Sequence, residues 1–207
     1  RSIPTAPNLV SATPSSNKIT VTWSHVNTSG LPILNFVAKA SPGNLTCATT
    51  NLTSCEITGL ANGTSYFISL TAINVEGTSP NSSLSAAVIP RTFPSAPEFS
   101  SSRYRSGSVS LEWSSPDSDG GSAIRGYLIT QAGAGVTKTY SAPASARSLT
   151  VNSLTNGVPY TFKISAQNIA GTSPDSSDFV TVTPWGPPAA PSPITVSPRD
   201  GGVVVSW

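Results

Sequence analysis

Charge is what this sequence has least of. Only 10% of its 207 residues are Asp, Glu, Lys or Arg, against about 25% in an average soluble domain. The 11 basic residues are scattered, so the basic stripe a nucleic-acid binder needs is missing. There is one histidine, His25. A Ser-His-Asp triad would have to use it, and one imidazole cannot build a His-rich zinc site. Two cysteines are too few for a thiolate metal cluster. No apolar run reaches the roughly 18 residues that span a bilayer, and the opening RSIPTAPNLV lacks the apolar core of a signal peptide. No catalytic residue, cofactor, nucleic-acid partner or membrane insertion is expected of this segment. What remains is plentiful Ser and Thr (60 positions), 19 Pro and 16 Gly, with 37% hydrophobic residues. That is too apolar for wholesale disorder and suits short strands joined by many turns.

Self-comparison reveals a repeat. Pro7 to Trp23, Pro97 to Trp113 and Pro191 to Trp207 are each 16 positions apart. Each interval holds Ala-Pro, a short apolar stretch, a polar turn and an alternating run ending in Trp: KITVTW, SVSLEW and VVVSW. A second block, GLANGTSYFISLTAINVEGTSP, matches SLTNGVPYTFKISAQNIAGTSP at a constant offset of 94. Leu60 falls on Leu154, Tyr66 on Tyr160, Asn74 on Asn168 and Gly77 on Gly171. The units are 90 to 94 residues long, with a four-residue insertion in the second.

Within each unit the period is two. Ile19, Val21 and Trp23 alternate with polar residues, as do Tyr66, Ile68, Leu70 and Ala72 and their counterparts Tyr160, Phe162, Ile164 and Ala166. The stretches around Phe36 and Tyr127 read as a further strand pair, and turn signals such as NG, GG, SP and PG separate the runs. No helical periodicity outlasts a turn. The expected fold is all-β: an antiparallel sandwich of about seven strands per repeat, with Trp23, Trp113 and Trp207 as core residues.

These residues resemble the fibronectin type III domain in tandem array. The Ala-Pro entry, the Trp of the second strand and the Leu60-to-Tyr66 and Leu154-to-Tyr160 spacings carry the resemblance. That spacing looks like a tyrosine corner. DGGSAIRGY, NGTSY or NGVPY, and the exits EGTSP and AGTSP look like the microbial branch. The expected units are 1–90, 91–184, and a remainder, 185–207, holding a linker and the first two strands of an incomplete third repeat. RTFPSAP and TPWGPPAAP are the linkers, short and Pro-rich, hence semi-rigid. RSIPTAP parallels the first of these, so a preceding domain is expected. The strands ITVSP and VVVSW cannot close a core alone. Either more sequence follows them or they pair with another chain.

Cys47 and Cys55 occur only in repeat one, with Ser141 and Leu149 in their places in repeat two. They read either as a reactive or metal-binding pair or as a structural disulfide. Many microbial members of the family carry a similar pair, so the resemblance implies the disulfide, and with it an oxidising compartment outside the cytosol. Candidate glycosylation sites are Asn27, Asn44, Asn51, Asn62 and Asn81, all in repeat one; Asn62-Gly63-Thr64 also reads simply as a turn. Asp117-Ser118-Asp119-Gly120-Gly121 has a superficial likeness to a calcium loop but lacks the bidentate Glu, so no metal site is expected. The candidate binding surface is Arg103, Tyr104 and Arg105, read as a turn between the first two strands of repeat two, together with Trp185. Trp185 is expected to pack at a domain junction; exposed, it would suit stacking on a sugar ring.

The expected function is a non-enzymatic spacer in an extracellular or cell-surface multi-repeat protein, as part of a fibre or appendage. Its first partners are neighbouring repeats of the same chain. The alternatives are an adhesive module for a surface protein or glycan, an accessory module of a secreted polysaccharide-degrading enzyme, and strand exchange between copies.

Overall fold

Alternation in each repeat produces two facing sheets, seen in a computed structural model that describes every residue except Thr28, Ala189, Pro191, Ser192, Pro193 and Trp207. Repeat one contains β1 (Asn8–Ser15), β2 (Lys18–Ser24), β3 (Asn35–Ser41), β4 (Thr46–Thr49), β5 (Ser54–Thr58), β6 (Phe67–Asn74) and β7 (Gly77–Thr78). Repeat two contains β8 (Phe99–Arg105), β9 (Ser108–Trp113), β10 (Gly126–Gly133), β11 (Val136–Pro143), β12 (Ser148–Val151), β13 (Tyr160–Gln167) and β14 (Val180–Val182). The sheets run β1-β2-β5 and β4-β3-β6-β7 in the first repeat, β8-β9-β12 and β11-β10-β13-β14 in the second. The fold is the expected all-β sandwich of seven strands. A last hairpin, β15 (Thr195–Arg199) with β16 (Gly202–Ser206), is exposed along its whole length. Trp207, expected in a core, lies outside the described residues.

The inward faces of the central strands are the apolar ones. Ile19, Val21 and Trp23 from β2 meet Phe36, Ala38 and Ala40 from β3 and Ile68, Leu70 and Ala72 from β6. Val109, Leu111 and Trp113 do the same against Tyr127, Ile129, Phe162 and Ile164 in repeat two. Each buried Trp tilts against one ring, Trp23 on Phe36 at 5.7 Å and Trp113 on Tyr127 at 5.5 Å between centroids. Both tyrosine corners form: Tyr66 Oη accepts the Ala61 amide and Tyr160 Oη the Thr155 amide, each at 3.0 Å.

The segment after β7 departs from strand geometry. Pro80 can donate nothing to a ladder, and hydrogen bonding passes to every third residue. Ser79, Ser82 and Ser85 donate their amides to the carbonyls of Ala72, Leu70 and Ile68 at 2.8, 2.8 and 3.0 Å. Their hydroxyl oxygens accept the amides of the same three residues at 3.0, 3.0 and 2.9 Å. One serine therefore satisfies both backbone groups of one buried β6 residue. In repeat two, Ser173 and Ser176 repeat the device on Ala166 and Ile164 before β14 resumes an ordinary ladder.

Candidate functional site

An elaborately built polar site joins the two repeats. Beyond β7 the chain reaches Pro90, whose carbonyl accepts the Gly63 amide at 2.9 Å. Two residues on, Thr92 donates its amide to Gly120 O, and Ser95 donates to Ser118 O, both at 2.9 Å. The buried Asn168, at the end of β13, closes the arrangement. Its Nδ2 donates to Thr92 O at 2.8 Å and to Asp119 O at 2.7 Å. Its Oδ1 accepts the amides of Ala170 and Gly171. One side chain thus ties the linker to the β9–β10 loop and to its own turn, with every amide atom used. Phe93 lies over Gly171, where a β-carbon would stand 3.3 Å from its ring.

Gly121 is the contact across the junction. Its φ is +81°, and a β-carbon there would stand 2.3 Å from Gly63 N and 2.6 Å from the Asn62 carbonyl carbon. Only glycine fits, because the obstacle is backbone. The first linker-like segment makes the same contacts: Asn74 Nδ2 donates to Ser2 O at 2.8 Å, and Ile3 lies over Gly77. His25 adds a bond to Thr5 O at 3.0 Å. Sequence comparison had paired Asn74 with Asn168, but it gave no signal of what their amides hold. The second glycine of DGG was the available clue.

The loop resembling a calcium ligand set is this junction. Asp119 Oδ1 accepts the Gly121 amide at 2.8 Å, and its carbonyl faces Asn168. Among the described residues no group of three or more His, Cys, Asp or Glu is placed to hold a metal.

Cys47 on β4 and Cys55 on β5 are joined as a disulfide, with Cα atoms 6.0 Å apart. The two strands belong to different sheets, so the bond clips the open side of sandwich one. Among the sequons, Asn27, Asn44, Asn51 and Asn81 are exposed. Asn27 Nδ2 donates to Leu31 O at 2.6 Å. Asn62 is half-buried in the junction: Oδ1 accepts the Asn17 amide at 2.9 Å, and Nδ2 donates to Asn17 Oδ1.

One expectation about the candidate binding surface needs correction. Arg103, Tyr104 and Arg105 lie on β8 and not on a turn, because Arg105 pairs with Ser108 and only Ser106–Gly107 turn the chain. Strand alternation then splits the trio: Tyr104 pairs with the inward-facing Val109, while Arg103 and Arg105 take the opposite face with Ser110 and Ser108. Trp185, expected at a domain junction, is 65% exposed on the segment that leads to the last hairpin. Its neighbours hold the backbone: Pro184 O accepts the Gly157 amide at 2.8 Å, and Gly186 sits against Asn156 and Ser106. The indole between them is turned outward.

Electrostatics are slight. The Lys18 ammonium, 2.8 Å from Glu56 Oε1, holds that carboxyl below its ordinary value through a hydrogen bond and its charge. Burial raises the Tyr140 phenol, whose hydroxyl donates to Gln131 at 2.7 Å. Both are structural contacts on sheet faces.

The comparisons with known proteins agree with this architecture. A Kelch domain-containing protein of Saccharolobus solfataricus is 29% identical over 210 residues, which are 99% of this chain and 27% of that protein. Exoglucanase B of Cellulomonas fimi is 29% identical over 188 residues, 87% of this chain and 16% of the enzyme. Protein sidekick-1 of Gallus gallus is 31% identical over 157 residues, 72% of this chain and 7% of that protein. The chain therefore spans 27% or less of the length of these relatives. The family model of the fibronectin type III domain matches residues 2–88 and 94–183. This chain, with two such stretches in tandem, belongs to the fibronectin type III family.

Proposed function

We propose that this chain is a non-enzymatic, stiff spacer segment of an extracellular or cell-surface multi-repeat protein, with units 1–90, 91–184 and a third beginning at 185. The observation that carries the reading is the Asn168 latch, which commits both donors of one buried amide to fixing the linker against the next sandwich. A tether meant only to connect would leave Thr92 and Ser95 to water; here both are bonded into repeat two. The disulfide supports an oxidising compartment. Low charge and a hydroxyl-rich surface suit a secreted or surface polymer, and stability in such an array is local to each repeat and its junctions.

A second reading, an accessory module beside a polysaccharide-degrading domain, is favoured by the likeness to Exoglucanase B. The two readings are compatible, since a module that sets distance serves either. Small-angle X-ray scattering of the whole chain tests the spacer. A single elongated arrangement of repeats one and two should fit the curve; a curve that only a broad ensemble of inter-repeat angles reproduces would refute it.

A further inference from the structure

The chain contains two Asn-Gly steps, Asn62-Gly63 and Asn156-Gly157, at the repeat offset of 94. Asn-Gly is the dipeptide most prone to spontaneous deamidation, because glycine has no side chain to hinder its amide from attacking the neighbouring carboxamide. The reaction has two requirements. The glycine N–H must lose its proton, and the asparagine side chain must swing until that nitrogen meets its Cγ.

At Asn62 the structure opposes both. The Gly63 amide donates to Pro90 O at 2.9 Å, and a hydrogen bond made by the neutral group disfavours loss of its proton. The carboxamide is engaged at both ends: Oδ1 accepts the Asn17 amide at 2.9 Å, and Nδ2 donates to Asn17 Oδ1 at 3.4 Å. Rotation toward Gly63 breaks both bonds. The last contact comes from the other repeat. A β-carbon on Gly121 would stand 2.3 Å from Gly63 N and 2.8 Å from Asn62 Cβ, so the backbone of repeat two lies on the nucleophile and on the side chain that has to move. That cover exists only while the junction is closed, and Pro90 is two residues from Thr92, whose carbonyl Asn168 holds.

We propose that Asn62 is a deamidation site which the closed junction silences and an open junction releases. Once the repeats separate, Gly63 N loses its proton and attacks Asn62 Cγ. The new C–N bond closes a succinimide ring, and Nδ2 leaves as ammonia, taking up a proton. Water opens the ring at either carbonyl and leaves aspartate or isoaspartate. Loss of ammonia makes the step one-way, and its product no longer fits the latch. Isoaspartate adds a carbon to the main chain just before Gly63, where even a β-carbon would stand 3.0 Å from Gly121 Cα. In either product a carboxylate oxygen with no proton to give replaces Nδ2 opposite Asn17 Oδ1. The junction thus keeps a chemical record of having been open. This chemistry rests on the latch of the spacer reading and extends it.

Timed peptide mapping by mass spectrometry tests it in the whole chain, in Asn168→Ala, in Gly121→Ala and in the parent unfolded by urea. Asn62 should react at least about tenfold more slowly in the folded parent than in urea, and at least about threefold faster in each variant than in the folded parent. Asn156 is the internal control. Its side chain bonds to Gly107 and Ser106, and its glycine amide to Pro184 O, so it should keep the parent rate in both variants. Because it sits in repeat two, an unchanged rate there also reports that this repeat stays folded. Deamidated protein, isolated by ion exchange, should need two alignment tensors where the parent needs one. Equal Asn62 rates in parent and variants, a rise at both asparagines together, or a deamidated protein that still fits one tensor would overturn the proposal and leave the spacer standing. Two tensors for the intact parent would refute the latch, and both readings with it.

Discussion

Removing a single oxygen atom at Ser82 should cost repeat one a measurable share of its stability. In Ser82→Ala the amide of Leu70 loses the hydroxyl it reaches at 3.0 Å. Leu70 is fully buried, so water cannot replace that acceptor. An orphaned buried donor costs about 1–3 kcal/mol. The hydroxyl's other bond, to Ser83 O at 2.9 Å, is exposed and passes to solvent. The Ser82 amide still meets Leu70 O, so the segment keeps its course. A loss of about 2 kcal/mol in a domain of this size lowers Tm by about 8–16 °C. The neighbouring Ser83→Ala, at an exposed position outside this ladder, should stay within about 0.5 kcal/mol. Thermal unfolding followed through the resolved indole N–H signals of Trp23 and Trp113 reads the two repeats separately. The Trp23 transition should fall while the Trp113 transition holds. A Trp23 transition that does not move, or two transitions that fall together, would refute the ladder as the source of stability.

Reduction of Cys47–Cys55 should destabilise repeat one alone by roughly 2.5 kcal/mol, the chain-entropy value for so short a loop; denaturant titration with and without reductant reads it, and repeat two should not respond. Gly121→Ala should loosen the junction, because a β-carbon meets the Gly63 backbone at 2.3 Å and alanine at this φ costs about 1–2 kcal/mol by itself. In nitrogen-15 relaxation the two repeats should then tumble with separate correlation times, which Ser82→Ala should not cause. The Lys18–Glu56 pair should give a shallow acid dependence. Its folded-state carboxyl titrates below the ordinary 4.5, so its contribution is present above that pH and is lost as pH falls through the lowered value. Glu56→Gln should remove that part of the profile in acid-unfolding curves.

The sandwich was legible because burial on one face forces a period of two, and each buried Trp closes an alternating run. The tyrosine corners were legible because the Leu-to-Tyr spacing is fixed by the turn they brace. The latch was not, because its bonds run from Asn168 to backbone carbonyls 76 and 49 residues away, and any residue supplies a carbonyl. The serine ladder was hidden by its period of three, which matches neither strand nor helix. Arg103, Tyr104 and Arg105 read as a turn because polar residues cluster in both settings; only the register shows that β8 runs on to Arg105. Trp185 reads as a junction residue from its place in the linker between Pro184 and Gly186; the backbone bonds on either side of it, which set the direction of its indole, carry no sequence signal.

The central claim is that the junction between repeats one and two is a fixed angle held by Asn168 and Gly121. Residual dipolar couplings of the whole chain in a weakly aligning medium test it most directly. Amide couplings from residues 8–88 and 98–182 should fit one alignment tensor with the repeats in their latched orientation. Two tensors of different magnitude would mean that the repeats swing independently, and the spacer account would fail.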